Sequence, residues 1–132
     1  MKKKLFLLLF LLLSLSGYSQ QLEWIPFKWI KDDKLGDKAA ITIPVTIDDL
    51  PGKFTMQFAL GANGRFIFYG NAIDPYLKKN RSLREKLDTT TSRFKNIHLH
   101  LGTVGFKGQD VFYLEDYGQD TVSKTVEIGA IG

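Results

Sequence analysis

The chain reads as a mainly β protein, a barrel or sandwich with one short helical region. Three observations carry that expectation. Apolar and polar residues alternate in several runs, most clearly in residues 39–47 (AAITIPVTI), where Ile41, Ile43, Val45 and Ile47 share one face and Thr42, Pro44 and Thr46 the other. Glycine recurs at the breaks between runs, as barrels and sandwiches require. Only residues 74–87 carry helix-start signals.

Residues 1–19 have the three parts of a secretory signal peptide. Lys2, Lys3 and Lys4 make a basic start, residues 5–13 are apolar, and Gly17 and Ser19 supply the small positions before a cut. Cleavage is placed between Ser19 and Gln20. The apolar run is shorter than the ~20 residues of a membrane span, so none is expected after cleavage. The protein is therefore expected to be exported, periplasmic or secreted. Removing the three lysines from 18 basic residues leaves 15 against 14 acidic ones, so the charge falls from +4 to +1. That balance offers no basic surface for nucleic acid. There is no cysteine, which excludes disulfides, a lipid anchor on an N-terminal Cys and thiolate metal sites. The remaining 113 residues, 132 less 19, suffice for one domain.

Residues 20–37 read as an N-terminal arm or edge strand. Within them QLEWIPFKWI is aromatic and broken by Pro26. Trp24, Phe27 and Trp29 are expected to cover the core, because large apolar side chains are usually buried; contact with a ligand is the alternative. Residues 31–38 read as a turn. Pro44 lacks an N–H, which predicts an exposed edge or a bulge in the strand that carries it. Residues 48–52 (DDLPG) form a turn with Pro51-Gly52 as pivot. The chain returns over residues 53–59 with Phe54, Met56 and Phe58 on one face, completing a hairpin.

Residues 65–70 (RFIFYG) make a short aromatic strand. Asp74 and Pro75 suit an N-cap and the first helical position, and Ser82 with Glu85 makes a capping-box pattern that restarts the helix. The lysines and arginines of this stretch read as a solvated face. Residues 88–92 form a polar linker. Ile97, Leu99 and Leu101 then alternate with Asn96, His98 and His100 in a strand over residues 94–101. Residues 111–114 pair back after a Lys107-Gly108 turn, and residues 122–128 form the last strand.

Few residues carry chemistry. His98 and His100 fall on one strand face and could take a metal with Asp110, Glu115 or Asp116 as third ligand; an ordinary solvent-facing pair is the preferred account, and no metal or other cofactor is expected. No nucleophile–base motif and no phosphate loop is present. The stretch QFALGANG (residues 57–64) breaks from strand to loop through Gly61 and Gly64 but holds no acid, base or nucleophile.

Residues 38–64 (KAAITIPVTIDDLPGKFTMQFALGANG) resemble the opening of retropepsin-like aspartic proteases, in particular exported Bacteroidetes-type members. In that pattern a hairpin leads into Asp-Thr/Ser-Gly-Ala/Ser. Here Ala59, Leu60, Gly61 and Ala62 occupy those places. The resemblance extends over residues 38–132 through RFIFYG, the helical segment, residues 96–117 and VEIGAIG (residues 126–132), which is similar to the apolar element that packs beside the active-site loop. It implies an aspartic-protease-like β-barrel. Such an enzyme needs two carboxylates sharing a proton to activate water, and a methyl group at position 59 can do neither job. Leu60 likewise removes the hydroxyl that would bond across paired loops.

The resemblance therefore implies an inactive domain that binds extended peptide by β-strand addition. It also implies a chain lacking the closing helix and strand, either truncated or completed by a homodimer partner. Two alternatives stand beside it: an active aspartic peptidase in its intact form, and a cell-envelope barrel or sandwich binding module unrelated to proteases.

Overall fold

The computed structural model describes residues 1, 3–4, 23–118 and 125–132. The apolar run of the expected signal peptide and its cleavage point lie outside the described residues, as does the start of the expected last strand at Val122. Eight strands appear among the described residues: β1 (Lys28–Asp32), β2 (Gly36–Ile47), β3 (Leu50–Phe58), β4 (Phe66–Tyr69), β5 (Leu87–Asp88), β6 (Arg93–Leu101), β7 (Val104–Leu114) and β8 (Val126–Ile131). Two helices, α1 (Gly70–Lys79) and α2 (Arg81–Glu85), separate β4 from β5. None of the described helices is long and apolar enough to cross a membrane.

The strands form one sheet in the order β1-β2-β3-β8-β4-β7-β6-β5. A further pairing of β2 with β6 closes six of them into a barrel, rather than a two-sheet sandwich. Two neighbour pairs, β3–β8 and β4–β7, run parallel; the others are antiparallel. Strand alternation fills the barrel from all sides: Val45, Ile47, Phe54, Met56, Phe68, Phe94, Ile97, Leu99, Val111 and Ile128 are buried in one cluster. Phe68 meets Phe94 edge to face at 5.4 Å, the arrangement ring quadrupoles favour.

Pro44 sits where the lack of an N–H predicts. The partner on one side of β2 changes from β1, last paired at Thr42, to β6, first paired at Val45, and Pro44 stands in the gap. The hairpin that follows differs from expectation. Its loop is Asp48-Asp49, with Ile47 opposite Leu50. Pro51-Gly52 lies inside β3 in a bulge, where Gly52 takes φ +112°, a region that excludes most side chains. Lys107-Gly108 is likewise no hairpin turn: β7 starts at Val104, the reversal is at Gly102-Thr103, and Gly108 (φ +63°) is internal.

The helical region also begins earlier than its cap signals predict. α1 starts at Gly70, so Asp74 and Pro75 fall inside it. Asp74 instead accepts a 2.8 Å hydrogen bond from the Tyr113 hydroxyl. Asn80, not Ser82, caps α2, its Oδ1 accepting from the Leu83 N–H at 3.0 Å. The tertiary contacts of Asp74 and Ser82 outweighed their local cap propensity.

Residues 23–27 form the expected arm and β1 the expected edge strand, but the aromatics do not cover the core. Trp24 is 83% exposed and Trp29 46%, with Phe27 also exposed. Ile25 is the arm residue that packs onto the core, and Pro26 sits against Gly102 of the β6–β7 turn.

Candidate functional site

The loop after β3 is held almost wholly by backbone. Ala59, extended at φ −133° and ψ 115°, precedes a single 3-10 turn over Leu60–Ala62. The Ala62 N–H donates to the Ala59 carbonyl at 2.9 Å, and Asn63 (φ 55°) and Gly64 (φ 70°) turn the chain through the left-handed region back into β4. β8 ends against this loop. The Ala59 N–H donates to the Ile131 carbonyl at 2.8 Å, and the Gly132 N–H donates to the Arg65 carbonyl at 3.3 Å. A Cβ at Gly132 would lie 2.6 Å from the Ala59 oxygen and 2.8 Å from the Ala62 Cβ, so only glycine lets the chain pass this close. VEIGAIG thus packs beside residues 59–64.

No side chain of residues 59–64 is ionisable. The chemistry presented is apolar. Leu60 is 85% exposed, Phe58 is 43% exposed and Ala62 is buried under the turn. Register extends this surface: Trp29 pairs with Ile41, Ile41 with Phe58, and Phe58 with Ile131. Residues paired across strands share a face, and the row continues through Phe66 to Val111 inside the barrel. The core face therefore runs out of the barrel mouth as an apolar row beside the loop, ending at β1, the edge strand among the described residues.

Other polar groups lie away from the loop. Asp49 receives Lys86 Nζ at 2.7 Å and the Ser82 hydroxyl at 3.1 Å, and its carbonyl accepts from the Asn80 side-chain amide. This cluster ties the β2–β3 hairpin to α2. On the outer face Glu127, half-buried, lies near Tyr69. Burial raises the Glu127 carboxyl above its usual range. Burial, Glu127 and Tyr117 together push the Tyr69 hydroxyl up to about 12. The Tyr69 and Tyr117 rings meet at 4.8 Å.

His98 and His100 both lie opposite the buried positions of β6, as alternation predicts, but they take different partners. His98 Nδ1 accepts from the Gly108 N–H at 2.8 Å, while His100 Nδ1 is 3.5 Å from an Asp48 carboxylate oxygen. Asp110 is bound to Lys95 at 2.8 Å, and Glu115 and Asp116 occupy the turn after β7. Among the described residues no three His, Asp or Glu side chains gather closely enough to hold a metal ion.

Three features escaped the sequence reading: the exposed arm aromatics, the Glu127–Tyr69 contact, and two arginines, Arg65 and Arg93, gathered on Phe112. The last two depend on pairings of strands distant in sequence, for which a single chain carries no local signal. Compared with protein-family models, with curated proteins and with solved structures, the chain finds no match.

Proposed function

We propose that this is an exported, aspartic-protease-like β-barrel that has no peptidase activity of its own and holds an extended, apolar peptide. The observation that carries the reading is the acid-free loop at residues 59–64 beside the apolar row of exposed Trp29 and Phe58 and half-buried Ile41 and Ile131. The parallel β3–β8 pair that grips this loop supports the protease-like part. The edge of β1, which no strand among the described residues pairs, supports the peptide part, since such an edge offers main-chain bonds while alternate side chains choose the sequence. Position 59 has no carboxylate to activate water, so binding is not followed by cleavage.

Trp24 and Trp29 are the only tryptophans, and both are exposed, so their fluorescence reports occupancy directly. Extended apolar peptides are expected to shift that emission saturably, and Phe58→Ser to weaken binding about tenfold. Pure protein is expected to leave unfolded substrates intact at acidic and neutral pH; cleavage blocked by a pepstatin-type inhibitor would overturn the inactive reading. Ala59→Asp with Leu60→Thr is expected to fold, because an extended residue before a helical turn accepts an Asp cap. It is not expected to cut as a single chain, since a second carboxylate is still missing. Gain of cleavage in that variant would restore the active-peptidase account.

A second reading is favoured by the exposure of Trp24 and Phe27: a cell-envelope binding barrel unrelated to proteases, with the arm as its contact surface. Loss of peptide binding on Trp24→Ser with Phe27→Ser, but not on Phe58→Ser, would select it.

A further inference from the structure

On the outer face of the barrel, β7 lies between β4 and β6. Phe112 of β7 is paired with Ile67 on one side and Arg93 on the other. Arg65, two residues before Ile67, shares its face. The two arginines converge on the ring from opposite neighbours. The Arg65 Cζ lies 4.9 Å from the ring centre and the Arg93 Cζ 4.4 Å. The two guanidinium carbons are thus no more than about 9 Å apart, a spacing that ordinarily makes like charges repel.

Among the described residues, no acid answers either charge. Among the described residues, Arg65 and Arg93 form no salt bridge; the ion pairs found there join other residues. The two acids placed to serve them are otherwise engaged. Asp110, two residues before Phe112, holds Lys95 at 2.8 Å. Asp88, paired with Arg93 across β5–β6, accepts from the N–H groups of Thr90 and Thr91 at 2.9 and 3.3 Å, and Thr91 holds its carboxyl below the usual range. Among the described residues, Arg93 Nε is the buried side-chain polar atom that no protein group partners. A guanidinium partly withdrawn from water and left uncompensated attracts an anion more strongly than a solvated one. The ring restrains each planar group, so less freedom is lost when its donors meet two oxygens.

We propose that Arg65 and Arg93, gathered on Phe112, form a binding site for an oxyanion, a carboxylate or a phosphate. The site needs no peptide in the barrel mouth and stands apart from the proposed function.

The test is an NMR titration of the arginine Nε–Hε signals at constant ionic strength. Succinate and inorganic phosphate are the probes, and sodium chloride is the control. Saturable shifts confined to Arg65 and Arg93 are expected with at least one oxyanion, and the tighter of the two identifies the source. Arg81, paired with Glu85, and exposed Arg84 serve as internal references. Arg93→Lys keeps the charge but loses the planar fork and is expected to weaken binding about tenfold; Arg65→Gln is expected to do the same. Shifts that fail to saturate, that chloride reproduces, or that spread equally to Arg81 and Arg84 overturn the proposal. The wild-type titration decides this even if a variant fails to fold. Unchanged affinity in both folded variants overturns it equally.

Discussion

Gly129→Ala tests whether the close passage of β8 against β4 sets the barrel. Gly129 is buried and stands opposite Phe68 in β4 and Met56 in β3. A methyl group there would overlap the Ile67 carbonyl oxygen and lie 2.8 Å from the Ile67 carbonyl carbon and 3.1 Å from the Phe68 Cα. These are main-chain atoms and cannot rotate aside. An ordinary carbon–oxygen contact requires the strands to part by ~1.5 Å. The β4–β8 ladder has only three registered pairs, Phe66–Ile131, Ile67–Ala130 and Phe68–Gly129. Losing about two of its hydrogen bonds at ~1 kcal/mol each, with ~1–3 kcal/mol of overpacking strain, amounts to roughly 3–5 kcal/mol. Urea unfolding followed by circular dichroism should show a midpoint lowered by about 2 M, since small domains lose ~1–3 kcal/mol per molar urea. Gly61→Ala is the control: nothing lies within 4 Å of its Cβ, so a change below about 0.5 kcal/mol is expected. A loss at Gly129 below about 1 kcal/mol, or equal to that at Gly61, would refute the reasoning.

Further outcomes concern charge and the arm. Burial raises the Glu127 carboxyl above its ordinary 4.5, so the fold disfavours the charged form. Stability associated with the protonated group is complete below pH 4.5 and is lost as pH rises through the raised value. Glu127→Gln should therefore match the wild type in melting temperature near pH 3.5 and exceed it at pH 7; a difference independent of pH would contradict this. Asp49→Ala leaves half-buried Lys86 without its carboxylate and the Ser82 hydroxyl without its acceptor. It should cost about 1–3 kcal/mol in urea unfolding, and a loss no larger than that of exposed Asp48→Ala would count against the cluster. Trp24→Ala should cost under about 0.5 kcal/mol and Ile25→Ala at least ~1 kcal/mol, because only Ile25 packs onto the core; thermal melts in the reverse order would sink that assignment.

The parts of the fold legible in the sequence were those fixed by local pattern. Alternation placed Val45, Ile47, Phe54 and Met56 in the core, and Ile97, Leu99 and Leu101 with them. The missing N–H of Pro44 foretold a break in pairing. Local signals misplaced boundaries wherever a tertiary partner competed. Pro51-Gly52 has turn chemistry but serves a bulge, and Asp74 has cap chemistry but binds Tyr113. Exposure of the arm was illegible for another reason. Burial of an aromatic depends on whether another element lies over it, and QLEWIPFKWI contains nothing that says β1 ends the sheet.

The loop at residues 59–64 shows why a site can be half legible. Its glycines signal an abrupt turn, and the bonds that hold it join backbone groups: Ala59 to Ile131, Ala62 to Ala59, and Gly132 to Arg65. No side chain of Ala59 or Leu60 takes part in them. The path of the chain and the chemistry it presents are therefore separable at exposed Leu60, whereas half-buried Ala59 also packs against the Tyr69, Ala72 and Ala130 cluster. Gly132 is the opposite case, since a methyl there meets the Ala59 oxygen, the Ala62 Cβ and, at 2.9 Å, the Asn63 nitrogen. The loop thus tolerates change at its exposed residues and resists it where β8 touches it. Its shape therefore depends on main-chain contacts and on Gly132, and little on the side chain that Leu60 presents to solvent.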